Sequence, residues 1–284
     1  MEHPILTLVT INTWKCDGSY SRRMEALKKG LKGLNPCIIA CQEVFQSEEA
    51  NQDTVRELAT FLRMNASCVP SRLKDRSVEG NLVKSYSGLA LLSRYPILKT
   101  WTLPLPTDER DGERIAQYCL IDWDAASGAQ QSSANYPVLV INTHLTHLKD
   151  MPLLRKQQLE AIINYLPSDE RYSALFLCGD LNAAELSEEM NFLLNHSKVS
   201  ALNGYRAGKG RNPGFTVMPQ LGENRQESEG KTIDFIVSLA EKGNPHPEIL
   251  SAAVVLHEPD EQGIYPSDHF GVMISAQIAP VRGE

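Results

Sequence analysis

No Cys-x-x-Cys pair occurs among Cys16, Cys37, Cys41, Cys68, Cys119 and Cys178, and Cys37 and Cys41 have no matching pair downstream. That spacing argues against a structural zinc site and against a disulfide framework. Cys37, Cys119 and Cys178 sit in or beside apolar runs, where a free thiol behaves as a small hydrophobe. A reducing, cytoplasmic setting is the expectation. No apolar run is long enough to span a bilayer. The opening MEHPILTLVTINTW has no basic region ahead of an uninterrupted apolar stretch, so it does not read as a secretory signal. Positive charge is scarce too: 28 Lys and Arg stand against 35 Asp and Glu, a formal net charge of −7. A binder of duplex DNA that relies on a broad basic face is therefore disfavoured. A nuclease is not excluded, because a bound divalent cation changes the local field. There is no GxSxG nucleophile elbow and no Cys–His arrangement of comparable quality. AGKGRNPG at 207–214 resembles a phosphate loop only superficially; neither its spacing nor its context fits. It reads as a surface loop whose cations, Arg206, Lys209 and Arg211, are candidates for guiding an anionic substrate.

What is present suits a globular fold. The 284 residues are 42% hydrophobic and 22% charged, enough for a sizeable core. β-Branched and apolar runs predict strands over 5–13, 37–44, 87–97, 113–123, 136–145, 172–180, 231–239, 251–257 and 267–278. Helical spacing predicts helices over 19–35, with Ser19 or Ser21 as cap and Pro36 as stop, and over 47–64, 151–166 and 185–196. Residues 125–135 read as a loose loop, 203–231 as mostly irregular, and the mixed-charge stretch 71–84 as solvated loop. No repeat or linker divides the chain. Fully apolar strands imply sheets covered on both faces, which favours a layered α/β sandwich in one domain, 1–284.

Polar residues cluster where these strands end: Asn12, Gln42-Glu43, His144, Asp180 with Asn182, Asp234 inside an apolar run, and Asp268-His269. Each has an ordinary structural reading. Asn12 and Asn182 suit turns, Glu43 a cap, and Asp234 a buried, hydrogen-bonded acid. Taken together, so many strand ends supplying only Asn, Glu, Asp and His point to a site assembled from several elements. Hard oxygen ligands such as Glu43, Asp180 and Asp268 suit Mg²⁺, with Mn²⁺ as the alternative, better than zinc. Histidines beside such a metal are better used on phosphate oxygens or developing charge. Water, activated by a carboxylate and the metal, is the expected nucleophile.

The stretches TINTW, ACQEVF, SGLALLSRYPI, INTHL, CGDLNA, TIDFI and SDHFGV, in that order from residue 10 to residue 272, resemble the endonuclease/exonuclease/phosphatase superfamily of DNase I-like metal-dependent hydrolases. Any one stretch is weak; the ordered set is specific. The resemblance implies an α+β fold, a four-layer α/β/β/α sandwich with two facing mixed β-sheets and the site at one rim. It implies Glu43 as principal metal ligand, with Asn12 nearby and Asp268 contributing. It implies that Asp180 orients or deprotonates water, that Asn182 and His144 hold phosphate oxygens, and that His269, oriented by Asp234, stabilises the transition state. His144 in INTHL is similar to the phosphatase, sphingomyelinase and deadenylase branches. Arg114 sits where family members often carry an arginine; an ion pair is its default reading and a phosphate contact the sharper one. His147 is expected in a loop, off the site.

The expected activity is Mg²⁺-dependent hydrolysis of a phosphate ester, a phosphodiester first. A nuclease with nucleic acid as partner, which the net charge disfavours, and a sphingomyelinase-like phospholipid hydrolase are the enzyme alternatives. An inactive binding module on the same fold is the non-enzyme one.

Overall fold

A computed structural model describes residues 5–123, 137–211, 214–218 and 230–278. The expected loop at 125–135 lies outside the described residues, as do 212–213 and 219–229 of the irregular stretch. Two mixed sheets form the centre. The first orders β12 (Glu248–Val255), β13 (Gly271–Gln277), β1 (Ile5–Asn12), β2 (Ile38–Ser47), β5 (Asn81–Ser93) and β4 (Asn65–Val78), with β3 (Gln52–Asp53) on β2. The second orders β10 (Val199–Asn203), β11 (Asp234–Glu241), β9 (Ala174–Asp180), β8 (Val138–His144), β7 (Ile115–Ile121) and β6 (Ile97–Pro104). β1 and β2 run parallel, as do β8 and β9, while their other neighbours are antiparallel.

Alternation along the strands creates three cores. Leu6 and Leu8 of β1 point between the sheets with Ile38, Ala40, Val140, Phe176, Cys178 and Ile274. Val9 and Ile11 point outward, under α1 (Tyr20–Leu34) and α2 (Thr54–Leu62). The outer face of the second sheet packs Ile141, Leu175 and Leu177 under α3 (Pro152–Asn164) and α4 (Glu188–Leu194). Tyr20, Met24, Leu27 and Leu31 form the buried stripe that makes α1 a covering helix. The result is the four-layer sandwich.

Some boundaries differ from the sequence expectation. Ser19 occupies the N-cap of α1 without a side-chain cap bond. The helix expected over 47–64 begins only at Thr54, because 47–53 finishes β2, turns and forms β3, and Asp53 caps the helix through the Arg56 N–H at 2.9 Å. The stretch 71–84, expected as loop, forms the ends of β4 and β5 in a long hairpin. Asp268 and His269 precede β13 rather than opening it. A short helix, α5 (Gly204–Ala207), interrupts the irregular stretch. No helix among the described residues is long and apolar enough to cross a membrane.

Candidate active site

At one rim of the two sheets a cleft of about 900 Å³ is lined by Asn12, Glu43, His144, Asp180, Asn182, Asp268 and His269. Each arrives by its own backbone route. Asn12 ends β1 and Asp180 ends β9; the Asn12 Nδ2 donates to Asp180 Oδ2 at 3.1 Å across the gap between the sheets. His144 and Asp180 are direct partners across the parallel pair β8 and β9, and Asp234 faces Asp180 across β11 and β9. Register alone therefore places the three side by side. Glu43 sits in a β-bulge: the pairing of β2 with β5 slips between Cys41 and Val44, and Glu43 takes φ 54°. A bulge bends the strand and re-aims a side chain, here out of the sheet and into the cleft. Thr13 holds that turn, its Oγ1 donating to the carbonyls of Gln42 and Glu43.

Asp180 is 2% exposed. Burial, and then the neighbouring Asp234 carboxylate, push its carboxyl up to about 7, against the opposing pull of His269 and hydrogen bonds from Asn182 and Asn12. The Asn182 N–H donates to Asp180 Oδ1 at 3.0 Å, and the Asn182 Nδ2 donates to the Leu145 carbonyl at 3.1 Å. His269 Nδ1 lies 2.9 Å from Asp234 Oδ2. Burial disfavours its imidazolium, but Asp234, Asp180 and Asp268 together outweigh burial and hold its pKa well above the ordinary value. His144 goes the other way. Burial, then the positive charges of Arg114, Lys15 and His269, push it well below the ordinary value, so it stays neutral. Its Nε2 is 3.4 Å from Asp180 Oδ2 and its Nδ1 3.8 Å from Glu43 Oε1. One site thus contains a charged and an uncharged histidine, set apart by surroundings. Asp234 Oδ1 is buried with no hydrogen-bond partner among the described residues.

The donor set suits a hard divalent cation. Burial and the nearby Glu43 raise the Asp268 carboxyl to about 6, a like-charge conflict that a cation between the two relieves. Asn12 Oδ1 accepts the Trp14 N–H at 3.0 Å and retains a second lone pair. Lys15 bonds Glu43 at 3.0 Å on the same side. Asp180, Asp234 and His269 also bring ligand-type atoms within 4.8 Å of one another.

Arg114 lines the cleft and is fixed by Asp111: its Nη2 donates to Oδ1 at 2.6 Å and its Nε to Oδ2 at 3.0 Å. His147, expected off the site, also lines the cleft, with Nδ1 2.8 Å from Asp111 Oδ1. The chain leaves β8 at His144, so strand alternation no longer applies there. Arg206 and Arg211 are not brought to the cleft. Arg206 pairs with Glu185, and Arg211 is exposed, with its carbonyl accepting the Tyr205 hydroxyl at 2.6 Å. The cations that do reach the cleft include Lys15, Arg72, Lys74 and Arg76. Sequence reasoning passed over the last three as a solvated loop, although their spacing at every second residue is the signal of one strand face.

Residues 9–269 match the sequence profile of the Endonuclease/Exonuclease/phosphatase family. The chain belongs to this family, a superfamily of divalent-metal-dependent phosphoesterases. No curated protein matches it in sequence. Among solved structures, an endonuclease/exonuclease/phosphatase family protein from Leptotrichia buccalis is 15% identical with a TM-score of 0.71, covering 96% of this chain and 100% of its own. A mannosyl-6-phosphatase from Bacteroides thetaiotaomicron is 15% identical with a TM-score of 0.69, covering 95% of this chain and 99% of its own. TDP2 from D. rerio, complexed with a single-strand DNA product, is 18% identical with a TM-score of 0.66, covering 96% of this chain and 98% of its own. At these identities the likeness is one of fold.

Proposed function

We propose that the protein is a Mg²⁺-dependent hydrolase of phosphate esters, a phosphodiesterase first, in which water attacks phosphorus in line. The observation that carries this reading is geometric: Asn12, Glu43, His144, Asp180, Asn182, Asp268 and His269, from separate strand ends, line one cleft, with His144 Nε2 3.4 Å and His269 Nε2 3.8 Å from Asp180 Oδ2. The opposite pKa shifts of the two histidines fit distinct roles. Glu43 and Asp268, with Asn12, would hold the metal. When bound, it supplies positive charge to the phosphoryl oxygens and favours ionisation of water.

The remaining work falls to the chain's own groups. Asp180 orients the water and takes its proton as the oxygen–phosphorus bond forms and the ester bond opposite breaks; a pKa near 7 suits a general base at neutral pH. Asn182 and His144 donate to non-bridging oxygens, and Arg114 stands beside them as a further donor. His269 donates from Nε2 to the oxygens that gain charge in the transition state. Asp234 accepts from Nδ1, which fixes the ring and sustains its charge. The seven cleft-lining polar residues and Asp234 leave no position of the constellation empty, which weighs against an inactive binding module.

The test is an assay of the purified protein with Mg²⁺, Mn²⁺ or EDTA. Bis-p-nitrophenyl phosphate, single- and double-stranded DNA, RNA, sphingomyelin and sugar and inositol phosphates form the panel. Turnover that requires the metal and falls by about 10³-fold or more in Asp180→Asn and His269→Ala is expected. Activity indifferent to EDTA, or retained in His269→Ala, would overturn the mechanism.

A further inference from the structure

Past its bulge at Ser71, β4 presents Arg72, Lys74 and Arg76 on one face and Leu73, Asp75 and Ser77 on the other. The cationic face lines the cleft together with Lys15. Two of its members are pinned. Arg72 donates to the Asp111 carbonyl at 2.5 Å. Arg76 donates to the Ser85 carbonyl at 3.0 Å, to Ser85 Oγ at 2.9 Å and to Ser87 Oγ at 3.0 Å. Each guanidinium keeps further N–H donors. Opposite them β5 contributes Ser85 and Ser87, small hydroxyl residues that leave space above the strand.

Lys74 stands between the two arginines, exposed, and its ammonium meets no anion among the described residues. Of the acids that line the cleft, Glu43 is held by Lys15 and Asp111 by Arg114 and His147, and neither Asp17 nor Glu113 forms an ion pair with Lys74. Partial burial, then Arg72, Arg76 and Lys15, weaken its hold on a proton. Like charges gathered this way repel unless an anion joins them. The cleft has the size of a small-molecule site. Among the described residues Trp14 is its one aromatic lining residue apart from histidine, and its ring is already packed beneath Arg23, 4.8 Å from the centroid. A strand-tracking nucleic-acid groove would offer aromatic platforms for successive bases, and the described lining does not.

We infer that the Arg72–Lys74–Arg76 face is a second-phosphate subsite, so that the substrate is a compact phosphate ester carrying a further phosphoryl group. The inference rests on the phosphoesterase reading for the position of the first phosphate, against Asp180 and His269. Isothermal titration of the Asp180→Asn variant reads it without appreciable turnover. With Mg²⁺ present, thymidine 5′-phosphate is compared with thymidine 3′,5′-bisphosphate, and inositol 1-phosphate with inositol 1,4-bisphosphate. The added phosphoryl group is expected to tighten binding about tenfold or more in at least one pair, as charge-assisted contacts do. Which pair responds tells a nucleotide from a polyol source. Lys74→Gln, an exposed change that leaves packing intact, and the Arg72→Gln/Lys74→Gln double variant should remove most of that preference.

Equal affinities within both pairs overturn the subsite, and so does a preference that survives the double variant. So would affinity that keeps rising with the length of a single-stranded oligonucleotide, which would mark a strand groove instead. Bis-p-nitrophenyl phosphate, assayed alongside on the wild-type protein, separates the two claims. Selective binding without any metal-dependent turnover removes the hydrolase reading and leaves the subsite standing. Turnover without selective binding does the reverse.

Discussion

Gly179 takes φ 147°, and a Cβ built there would lie 1.9 Å from the Thr143 carbonyl oxygen of the neighbouring strand. The glycine immediately before Asp180 is therefore what lets β9 and β8 approach closely enough to set Asp180 beside His144. Gly179→Ala is expected to cost on the order of 3 kcal/mol in urea unfolding and to reduce turnover with it; an unchanged midpoint would deny the close approach. Asp111 gives a residue-scale prediction with a pH sign. It is 1% exposed, and burial works against its charge, yet bonds from His147, Arg114 and Thr146 outweigh burial and hold its carboxyl far below the ordinary range. A depressed folded-state pKa stabilises above the unfolded value, near 4, and that stability is lost as pH falls through the folded value. Asp111→Asn should thus unfold about 2 kcal/mol more easily at pH 7. Its deficit relative to wild type should shrink as pH drops below about 4. A deficit constant from pH 7 to 3 would mean the carboxylate's charge contributes nothing.

At the scale of elements, the cores were legible and the interruptions were not. Apolar runs such as LTLVTI and ALFLC alternate between two buried faces, and that pattern marks covered strands without further information. The polar strand ends were legible as a group because a core does not tolerate them. The bulge that re-aims Glu43 was not, since no residue type marks it; it exists only as a slip in pairing with β5. Nor was the β4–β5 hairpin, whose outer strand mixes charges and so looks like solvent-facing loop. The early part of 47–64 misled for the opposite reason. Its acids resemble a helical first turn, but Asp53 is the residue whose side chain accepts the free Arg56 N–H of that turn, and the helix starts after it. Asp53→Ala should cost about 1 kcal/mol, the ordinary value of an N-cap, read by thermal unfolding. A loss below a few tenths would show that packing of Val55 and Leu58 alone holds α2.

Across the whole molecule, net charge and local charge disagree, and the disagreement has a measurable sign. The chain carries −7 overall, which repels an anionic substrate at long range. The described lining of the cleft nonetheless carries eight lysines and arginines, Lys15, Arg72, Lys74, Arg76 and Arg114 among them, against six carboxylates, Asp17, Glu43, Asp111, Glu113, Asp180 and Asp268, an excess of positive charge. A concave, low-dielectric cleft focuses the field of its own lining, so approach is governed by that lining once a substrate is within a Debye length, about 10 Å at 0.1 M salt. If the net charge dominated, screening would help, and kcat/KM for an anionic phosphate ester would rise with ionic strength. If the lining dominates, screening hurts. We expect kcat/KM to fall roughly three- to tenfold as NaCl is raised from about 20 to 300 mM at fixed divalent metal, with kcat much less affected. Lys74→Glu, placed where the cations converge, should flatten that dependence as well as lower the starting value. A rate that rises with salt in the wild type would place the steering charge outside the cleft, and the acidic surface would then set the rate of approach.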